Sequence, residues 1–148
     1  MHGFKIRKAK LSDADIISKL EIDIFKNSAW SVNNILYEIR NNSNNIFVVE
    51  ENNQGIIGYI FIRIIKPEAH ILNIAVAKDY RRIGVGTELF EFGIDYIKKK
   101  GCKEVFLEVK ENNTAAKRLY EKFGFKKIGI RKKYYADNEN ALIYAVYL

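Results

Sequence analysis

The sequence predicts an α/β fold in which a mixed sheet carries helices on both faces. Seven short runs are apolar or alternate in the manner of strands, and four other runs place apolar residues at helical spacing. Along the chain these runs follow the order β-α-α-β-β-β-α-β-α-β-β. The length of 148 residues suffices for one domain with its own core. No repeat or linker interrupts the chain, so a single domain over 1–148 is expected.

The strand predictions rest on alternation and on turn residues. Strands are predicted at 4–9, 46–50, 55–65, 70–77, 104–109, 125–131 and 141–148. Asn52, Asn53 and Gly55 mark the turn after the second strand, and Pro67 marks the turn after the third.

The helix predictions rest on apolar spacing and on end signals. Ser12 is expected to cap the first helix, with Asp15 as its capping-box partner. A second helix follows Ser31, and residues 41–45 read as a loop. The third helix follows a glycine-rich turn and ends in three lysines before Gly101, which suits a helix C-terminus. A fourth helix is predicted over 114–123.

Composition excludes several classes of protein. The hydrophobic share of 48% argues against disorder. No apolar run reaches the roughly 18–20 residues that a membrane helix needs, and the N-terminal residues lack the apolar stretch of a signal peptide. The single cysteine, Cys102, excludes an intrachain disulfide and most thiolate metal sites. We therefore expect a cytoplasmic protein that is a monomer or weak dimer, without a metal and without a membrane partner.

The net charge of +7 is unevenly distributed. Residues 1–97 carry 12 basic and 12 acidic side chains, whereas residues 98–133 carry 13 basic and 4 acidic ones, a net charge of +9. A basic half of this kind indicates an anionic partner, either a phosphorylated cofactor or a nucleic acid. No helix-turn-helix, zinc pattern or stacking platform accompanies the basic residues, so specific nucleic-acid recognition is not expected.

The stretch RRIGVGTELF, residues 81–90, places two glycines immediately before a predicted helix. A phosphate can approach a backbone closely where side chains are missing, and a helix N-terminus supplies N–H donors and a favourable dipole. The P-loop pattern fails because no lysine follows Gly86. The dinucleotide pattern also fails, because its third glycine is replaced by Leu89.

The spacing Arg81-x-x-Gly84-x-Gly86 resembles the pyrophosphate loop of the GNAT family of N-acetyltransferases. The preceding LNIAV and the later NTAAKRLYEKFGF resemble that family's other characteristic segments, and the likeness covers nearly the whole chain. It implies a GNAT fold, with a mostly antiparallel seven-stranded sheet, about four helices and a splay between strands 4 and 5.

The same resemblance implies acetyl-CoA as cosubstrate and coenzyme A as product. The backbone of residues 82–87 would hold the pyrophosphate, residues 74–76 would pair with the pantetheine arm like an extra strand, and Asn113 would bond the cofactor. The cofactor-binding residues implied in this way are Ile74, Ala75, Val76, Arg81, Arg82, Ile83, Gly84, Val85, Gly86, Thr87, Asn113 and Tyr120.

Three residues are candidates for acid–base chemistry. Glu108 lies in EVFLEV on the face opposite Val105, Leu107 and Val109, and a carboxylate deep in a covered strand would be costly without a use. An exposed strand end or an ion pair is the alternative for this residue. The GNAT resemblance places Tyr120 beside the cofactor sulfur as the acid, although core packing also explains it. His70 is a candidate for the proton relay, with a plain surface position as its alternative.

Three stretches resemble the RimI-type protein N-terminal acetyltransferases, namely FKNSAWS (25–31), LEVKENNTAAKRLYEKFGF and IRKKYYADNENALIYAVYL. The turn ADNEN departs from the longer, glycine-containing turn common in that family. The resemblance implies an acceptor site for the N-terminus of a protein or peptide. Its expected residues are Phe25, Trp30, Ser31, Asn73, Tyr134 and Tyr135.

We therefore expect an acetyl-CoA-dependent transferase that acts on the α-amino group of protein N-termini in a ternary complex, with a ribosome or ribosomal protein as candidate partner. Two alternatives stay open. One is a GNAT enzyme for a small amine, although RKKYY argues against the acidic mouth that a polyamine would favour. The other is a non-catalytic module that binds acyl-CoA or RNA, which the basic half would suit.

Overall fold

A seven-stranded sheet forms the centre of the protein. The computed structural model describes residues 3–42, 45–52 and 54–148. The strands are β1 (Phe4–Lys8), β2 (Ile46–Glu51), β3 (Gly55–Ile65), β4 (Glu68–Val76), β5 (Glu104–Lys110), β6 (Lys126–Arg131) and β7 (Ala141–Tyr147). All seven predicted strands are present, with ends that differ by a few residues at most.

Four helices cover the sheet, as predicted. They are α1 (Ala14–Phe25), α2 (Val32–Asn42), α3 (Val85–Lys99) and α4 (Thr114–Lys122). Ser31 caps α2, because its hydroxyl accepts a hydrogen bond from the Asn34 amide at 3.1 Å. The predicted loop at 41–45 begins late, since α2 extends to Asn42, and residues 43, 44 and 53 lie outside the described part of the chain. Within that part, no helix is long and apolar enough to cross a membrane.

The strand order β1-β2-β3-β4-β5-β7-β6 contains one parallel contact. All other neighbours are antiparallel, whereas β4 and β5 run parallel. A parallel pair needs a long crossover connection, and α3 supplies it. The β4–β5 pairing covers only residues 68–71 and 104–107, although both strands continue beyond Ile71 and Leu107. The sheet therefore opens between β4 and β5, which confirms the predicted splay.

The sheet separates two apolar cores. One core lies under α3 and α4 and includes Ile60, Ile62, Leu89 and Phe90. The other lies under α1 and α2 and includes Ile17, Ile35, Tyr59 and Phe61. Strand β3 contributes alternate side chains to both cores, which explains why its sequence is an almost continuous apolar run.

A β-bulge interrupts β4 at Leu72. Phe61 pairs with Asn73 and Ile62 pairs with Ile71, so Leu72 is the extra residue. Leu72 packs against the core under α1 and α2, and the Asn73 side chain also reaches α1. Two consecutive side chains therefore face the same side of the sheet at the point where β4 leaves β5.

The start of α1 differs from the prediction. Residues Leu11–Asp13 form a 3₁₀ turn and α1 begins at Ala14, so Ser12 does not cap the helix. Asp13, rather than Ser12, makes the side-chain contacts at this end of the helix. Its carboxylate accepts a hydrogen bond from the Lys10 amide at 2.7 Å and two from the Arg7 guanidinium at 2.9 and 3.0 Å. Arg7 also donates to Glu50 on β2, so this cluster ties α1 to the sheet.

We predict that Asp13→Asn lowers the free energy of unfolding by about 2 kcal/mol at neutral pH. Burial alone would raise the pKa of Asp13, but the hydrogen bonds from Arg7 and Lys10 outweigh it and hold the pKa below its usual value. This stabilisation is present above the pKa of the unfolded state and is lost as pH falls through the folded-state value. Urea unfolding at several pH values should show that the free energy of unfolding falls less steeply with decreasing pH in the variant than in the wild type.

The matched control is Asp15→Asn, since Asp15 is exposed in the first turn of the same helix. It should change the free energy of unfolding by less than about 0.5 kcal/mol. Equal losses in the two variants would contradict the assignment of the effect to the Arg7–Asp13 contact.

Candidate active site

The opening between β4 and β5 is the centre of the candidate site. Leu107 and Val109 on β5 pack into the core under α3 and α4. Because side chains alternate along a strand, Phe106 and Glu108 point to the other face, which carries α1 and α2. The opening is therefore bordered by side chains from both faces of the sheet.

The glycine turn lies at the end of β4 and leads directly into α3. Gly84 is the residue before α3 and has a φ of 91°, and Arg82 is also in the left-handed region with a φ of 64°. Arg81 donates from Nε to the Val76 carbonyl at 3.2 Å, which anchors the turn to β4. The first intrahelical bond joins the Glu88 amide to the Gly84 carbonyl at 3.0 Å. The amides of residues 85–87 precede it and have no partner within the helix.

Space and backbone groups are available for an extended, phosphorylated ligand along this edge. A Cβ at Gly84 would meet no described atom within 4 Å, so the turn is open above the helix terminus. Residues 74–76 lie past the end of the β4–β5 pairing. Asn113 caps α4, with its Oδ1 accepting from the Ala116 amide at 3.1 Å. The bond between Asn113 and a cofactor stays a prediction. Because Oδ1 is used as the helix cap, the Nδ2 group of Asn113 would have to make that bond.

Glu108 is more exposed than the sequence suggests. The alternation predicted its face correctly, but the expected deep burial is wrong, since 34% of the side chain is accessible. Its Oε1 lies 3.8 Å from the Arg131 guanidinium at the end of β6. The strand is uncovered here because β4 has already departed. Glu108 is thus a solvent-accessible carboxylate at the opening, available to a water molecule and to a ligand.

Tyr120 lies on the opposite side and is 5% exposed. Its ring packs against Phe90 at 5.2 Å and Phe125 at 6.2 Å between centroids, and against Tyr144 at 6.3 Å. Burial, with a smaller contribution from the charge of Tyr135, raises the pKa of Tyr120 well above its usual value. The phenol is therefore protonated at neutral pH and can act only as a proton donor there.

Tyr135 interacts electrostatically with both Glu108 and Tyr120, the candidates for base and acid. Burial raises its pKa to about 12, and the charge of Glu108 adds to this shift. The charge of Tyr135 in turn affects Tyr120. The Lys110 ammonium lies 5.2 Å from the centre of the Tyr135 ring.

His70 lies at the paired end of β4, before the opening. Its ring stacks on Phe106 with centroids 5.4 Å apart, and its Nε2 lies 3.2 Å from the Glu68 carboxylate. Both contacts involve residues on the side of the site where β4 and β5 are still paired. A role in proton relay stays a prediction for His70.

The predicted acceptor residues come from two parts of the chain. Tyr134 and Tyr135 lie in the connection between β6 and β7, with ring centroids 5.2 Å apart, and the Arg131 guanidinium lies 5.1 Å from the Tyr134 ring. Phe25 ends α1, Trp30 lies before α2 with its ring 5.2 Å from Phe61, and the Ser31 hydroxyl is used as the α2 cap. Asn73 projects toward α1 from the bulge.

Sequence reasoning missed Glu21, which lies in the middle of α1 and is 1% exposed. Its carboxylate accepts hydrogen bonds from the Trp30 amide at 2.8 Å, from the Tyr59 hydroxyl at 2.7 Å and from the Asn73 side chain. The sequence does contain a pattern that indicates a buried carboxylate at this position. Glu21 follows Leu20 and lies between Ile17 and Ile24 at helical spacing, so a carboxylate occupies the apolar face of α1.

Two curated relatives align over almost the whole chain. One is a candidate [ribosomal protein bS18]-alanine N-acetyltransferase of Bacillus subtilis, 36% identical over 93% of this chain and 91% of that protein. The other is an N-alpha-acetyltransferase of Sulfurisphaera tokodaii, 32% identical over 96% of this chain and 92% of that protein.

A solved structure agrees with these relatives. The ribosomal-protein-S18-alanine N-acetyltransferase of Escherichia coli superposes with a TM-score of 0.84 at 29% identity, over 97% of this chain and 93% of that chain. The sequence profile of the Acetyltransferase (GNAT) family matches residues 15–125, which include all of α1 but its first residue, the glycine turn, Glu108 and Tyr120. The chain therefore belongs to the GNAT family of acetyltransferases, which use acetyl-CoA as the acetyl donor.

Proposed function

We propose that this enzyme transfers the acetyl group of acetyl-CoA to the α-amino group of a protein N-terminus. The observation that carries the proposal is the position of Glu108, an accessible carboxylate at the opening between β4 and β5, with the buried Tyr120 phenol on the other side of the sheet. The relatives named for N-terminal acetylation support the same acceptor.

Acetyl-CoA, the acetyl donor, would lie along the open edge of β4. The amides of residues 85–87 and the positive end of the α3 dipole would hold the pyrophosphate, and Arg81 and Arg82 would add positive charge. Backbone groups of residues 74–76 would pair with the pantetheine arm in the manner of an added strand. Bound acetyl-CoA supplies a thioester whose carbonyl carbon accepts the amine.

The chemistry of the amine explains why an exposed carboxylate is a sufficient base. A peptide α-amine has a pKa of roughly 8, whereas a lysine amine has one of roughly 10.4. About a tenth of α-amines are therefore neutral at pH 7, against fewer than about one lysine in a thousand. Glu108 has only to remove a proton that is lost readily, and a water molecule can carry that proton to it.

The transfer step conserves atoms and charge. Glu108 takes one proton from the α-ammonium through water, and the neutral nitrogen forms a bond to the thioester carbon. The carbon–sulfur bond then breaks, and Tyr120 gives its proton to the departing thiolate. The acetylated nitrogen then loses its second proton, which restores the Tyr120 phenol, and Glu108 releases its proton to solvent, which leaves an N-acetyl peptide, coenzyme A and one proton.

The connection between β6 and β7 would hold the acceptor backbone above the base. Arg131 contacts Glu108 and lies against the Tyr134 ring, so one side chain ties this connection to the base. Tyr134 and Tyr135 would flank the first residues of the acceptor, opposite Phe25, Trp30, Ser31 and Asn73. In this arrangement the free N-terminus of the acceptor would lie at Glu108.

A ribosomal protein in the cytoplasm is the target class that we propose. Lys126, Lys127, Lys132 and Lys133 are exposed on and just beyond β6, next to the acceptor side of the site. Their positive charge would attract an acceptor that is attached to RNA. The relative from Bacillus subtilis carries ribosomal protein bS18 in its name, which supports this class.

We predict that Gly84→Ala weakens acetyl-CoA binding about tenfold. The added Cβ strains the φ of 91° by about 1–2 kcal/mol, and relief of that strain would turn the first α3 amides away from the pyrophosphate. Gly101→Ala is the control, because Gly101 follows the other end of α3 with a φ of 86° and also has open space around it. Calorimetry should show similar losses of stability but weaker binding only for Gly84→Ala. Equal affinities would contradict the assigned phosphate site.

We predict that Glu108→Gln lowers kcat by about 10²–10⁴-fold, because the amide cannot accept the proton. The rate of acetylation is measured by mass spectrometry on two sets of peptides. One set has free N-termini, and the other has blocked N-termini and internal lysines. The control is Glu104→Gln on the same face of β5, at its paired end. Acetylation restricted to blocked peptides, or none in the wild type despite acetyl-CoA binding, would refute the proposed function and favour a small amine or a binding role.

We predict that Tyr120→Phe lowers kcat at least tenfold between about pH 6 and pH 9 while the fold is kept. The raised pKa keeps the phenol protonated over this range, so the loss should not vary with pH. Tyr144→Phe is the control, since Tyr144 is equally buried nearby and its hydroxyl donates to Glu121 at 3.1 Å. A wild-type rate in Tyr120→Phe would show that the thiolate receives its proton elsewhere.

A further inference from the structure

Glu21 is a buried carboxylate whose hydrogen-bond partners among the described residues are all uncharged. The Trp30 amide donates to Oε2, whereas the Tyr59 hydroxyl and the Asn73 amide donate to Oε1. Burial raises the pKa of Glu21, and the three hydrogen bonds act in the opposite direction. Because an ionised carboxylate only accepts hydrogen bonds, three donors match the charged form.

The other buried carboxylates of the described residues have a cationic partner. Asp13 contacts Arg7, and Glu38 contacts Arg63. A buried charge without such a partner is costly, and packing alone would favour an apolar residue at this position of α1. We therefore expect Glu21 to serve by positioning the groups that it binds.

The three donors come from three separate elements around the proposed acceptor site. Trp30 lies in the connection between α1 and α2, Tyr59 lies in the middle of β3, and Asn73 lies at the bulge of β4. Asn73 is half-buried and stands just past the last β4–β5 pair. Glu21 thus fixes both the Trp30 segment and the strand that borders the opening.

The bond to Glu21 also decides which way the Asn73 amide is oriented. Only its NH₂ group can donate to a carboxylate, so Nδ2 faces α1. The Oδ1 atom is consequently turned away from Glu21 and is a hydrogen-bond acceptor. An acceptor peptide that enters this side of the opening presents N–H donors at its amine and its first amide.

We propose that Glu21 is a positioning residue for the acceptor peptide, which it serves by holding the Asn73 amide with Oδ1 available to the peptide N–H groups and by fixing the Trp30 segment. The proposal rests on the proposed function, because it takes the acceptor to be a peptide N-terminus. It assigns Glu21 an effect on peptide affinity, and none on acetyl-CoA binding or on proton transfer.

The kinetic test compares Glu21→Gln, Asn73→Ala and the double variant, with acetyl-CoA and an alanine-initiated hexapeptide as probes. A glutamine keeps the size but turns an NH₂ group toward at least one of the three donors. We expect the peptide KM to rise about tenfold in each single variant, with kcat and the KM for acetyl-CoA within about threefold of wild type. The double variant should lose less than the two single effects combined, because both changes remove the Glu21–Asn73 bond.

Glu38→Gln is the matched control, since Glu38 is a buried carboxylate on α2 whose hydrogen bonds are to Arg63 and Asn42 and to none of these donors. It should leave the peptide KM unchanged even if it lowers stability. An unchanged peptide KM in Asn73→Ala, or parallel loss of kcat and acetyl-CoA affinity in Glu21→Gln, would overturn the proposal. Because Asn73 is half-buried, its variant tests the proposal even if Glu21→Gln does not fold.

A second readout does not depend on activity. Trp30 is the only tryptophan of the chain, so intrinsic fluorescence reports on the segment that Glu21 holds. Glu21→Gln should shift the emission to longer wavelength and increase acrylamide quenching. Asp13→Asn, at a buried carboxylate that binds Arg7 and Lys10, should do neither. Unchanged emission in folded Glu21→Gln would overturn the positioning role. A shifted emission with no peptide acetylation in the wild type would instead count against the proposed function alone.

Discussion

The departure of β4 from β5 is the constraint on which the rest of the site depends. These two strands pair in parallel over only four residues each, and the parallel arrangement requires α3 as the crossover. The same connection places the N-terminus of α3 at the end of the departing strand, so the proposed anion site and a free strand edge lie side by side. Had β4 and β5 stayed paired to their ends, both the backbone groups of residues 74–76 and the Glu108 side chain would be covered.

The two faces of the sheet contribute different chemistry to this opening. The face under α3 and α4 supplies a dry, aromatic environment in which Tyr120 keeps its proton. The face under α1 and α2 supplies an accessible carboxylate, Glu108, with Arg131 beside it. Tyr135 interacts electrostatically with both. The proposed acid and the proposed base are thereby kept in different environments, which suits two groups that exchange protons with different partners.

Local patterns predicted the order of elements, the glycine turn and the start of α2 after Ser31, because these depend on residues adjacent in sequence. Burial depended on distant residues and was predicted less well. Alternation showed which face Glu108 uses, but its exposure follows from the departure of β4, which no pattern within EVFLEV encodes. Ser12 met the capping rule, yet Asp13 made the contacts because Arg7 and Lys10 lie around it in the folded chain. Glu21 was marked by its place among apolar positions, but its partners are 9 to 52 residues away.

The acceptor side of the site joins a firmly held part to a weakly held one. Glu21 holds the Trp30 segment and Asn73 through partly buried hydrogen bonds, which specify one arrangement because leaving the buried carboxylate unpaired would be costly. The connection between β6 and β7 is held by exposed contacts, such as Lys110 with Asp137 at 2.7 Å and Lys133 with Asn140 at 2.9 Å. Exposed contacts of this kind contribute little stability. The peptide would therefore meet a pre-formed surface on the α1–α2 side, while Tyr134 and Tyr135 adjust to the residues that follow its amine.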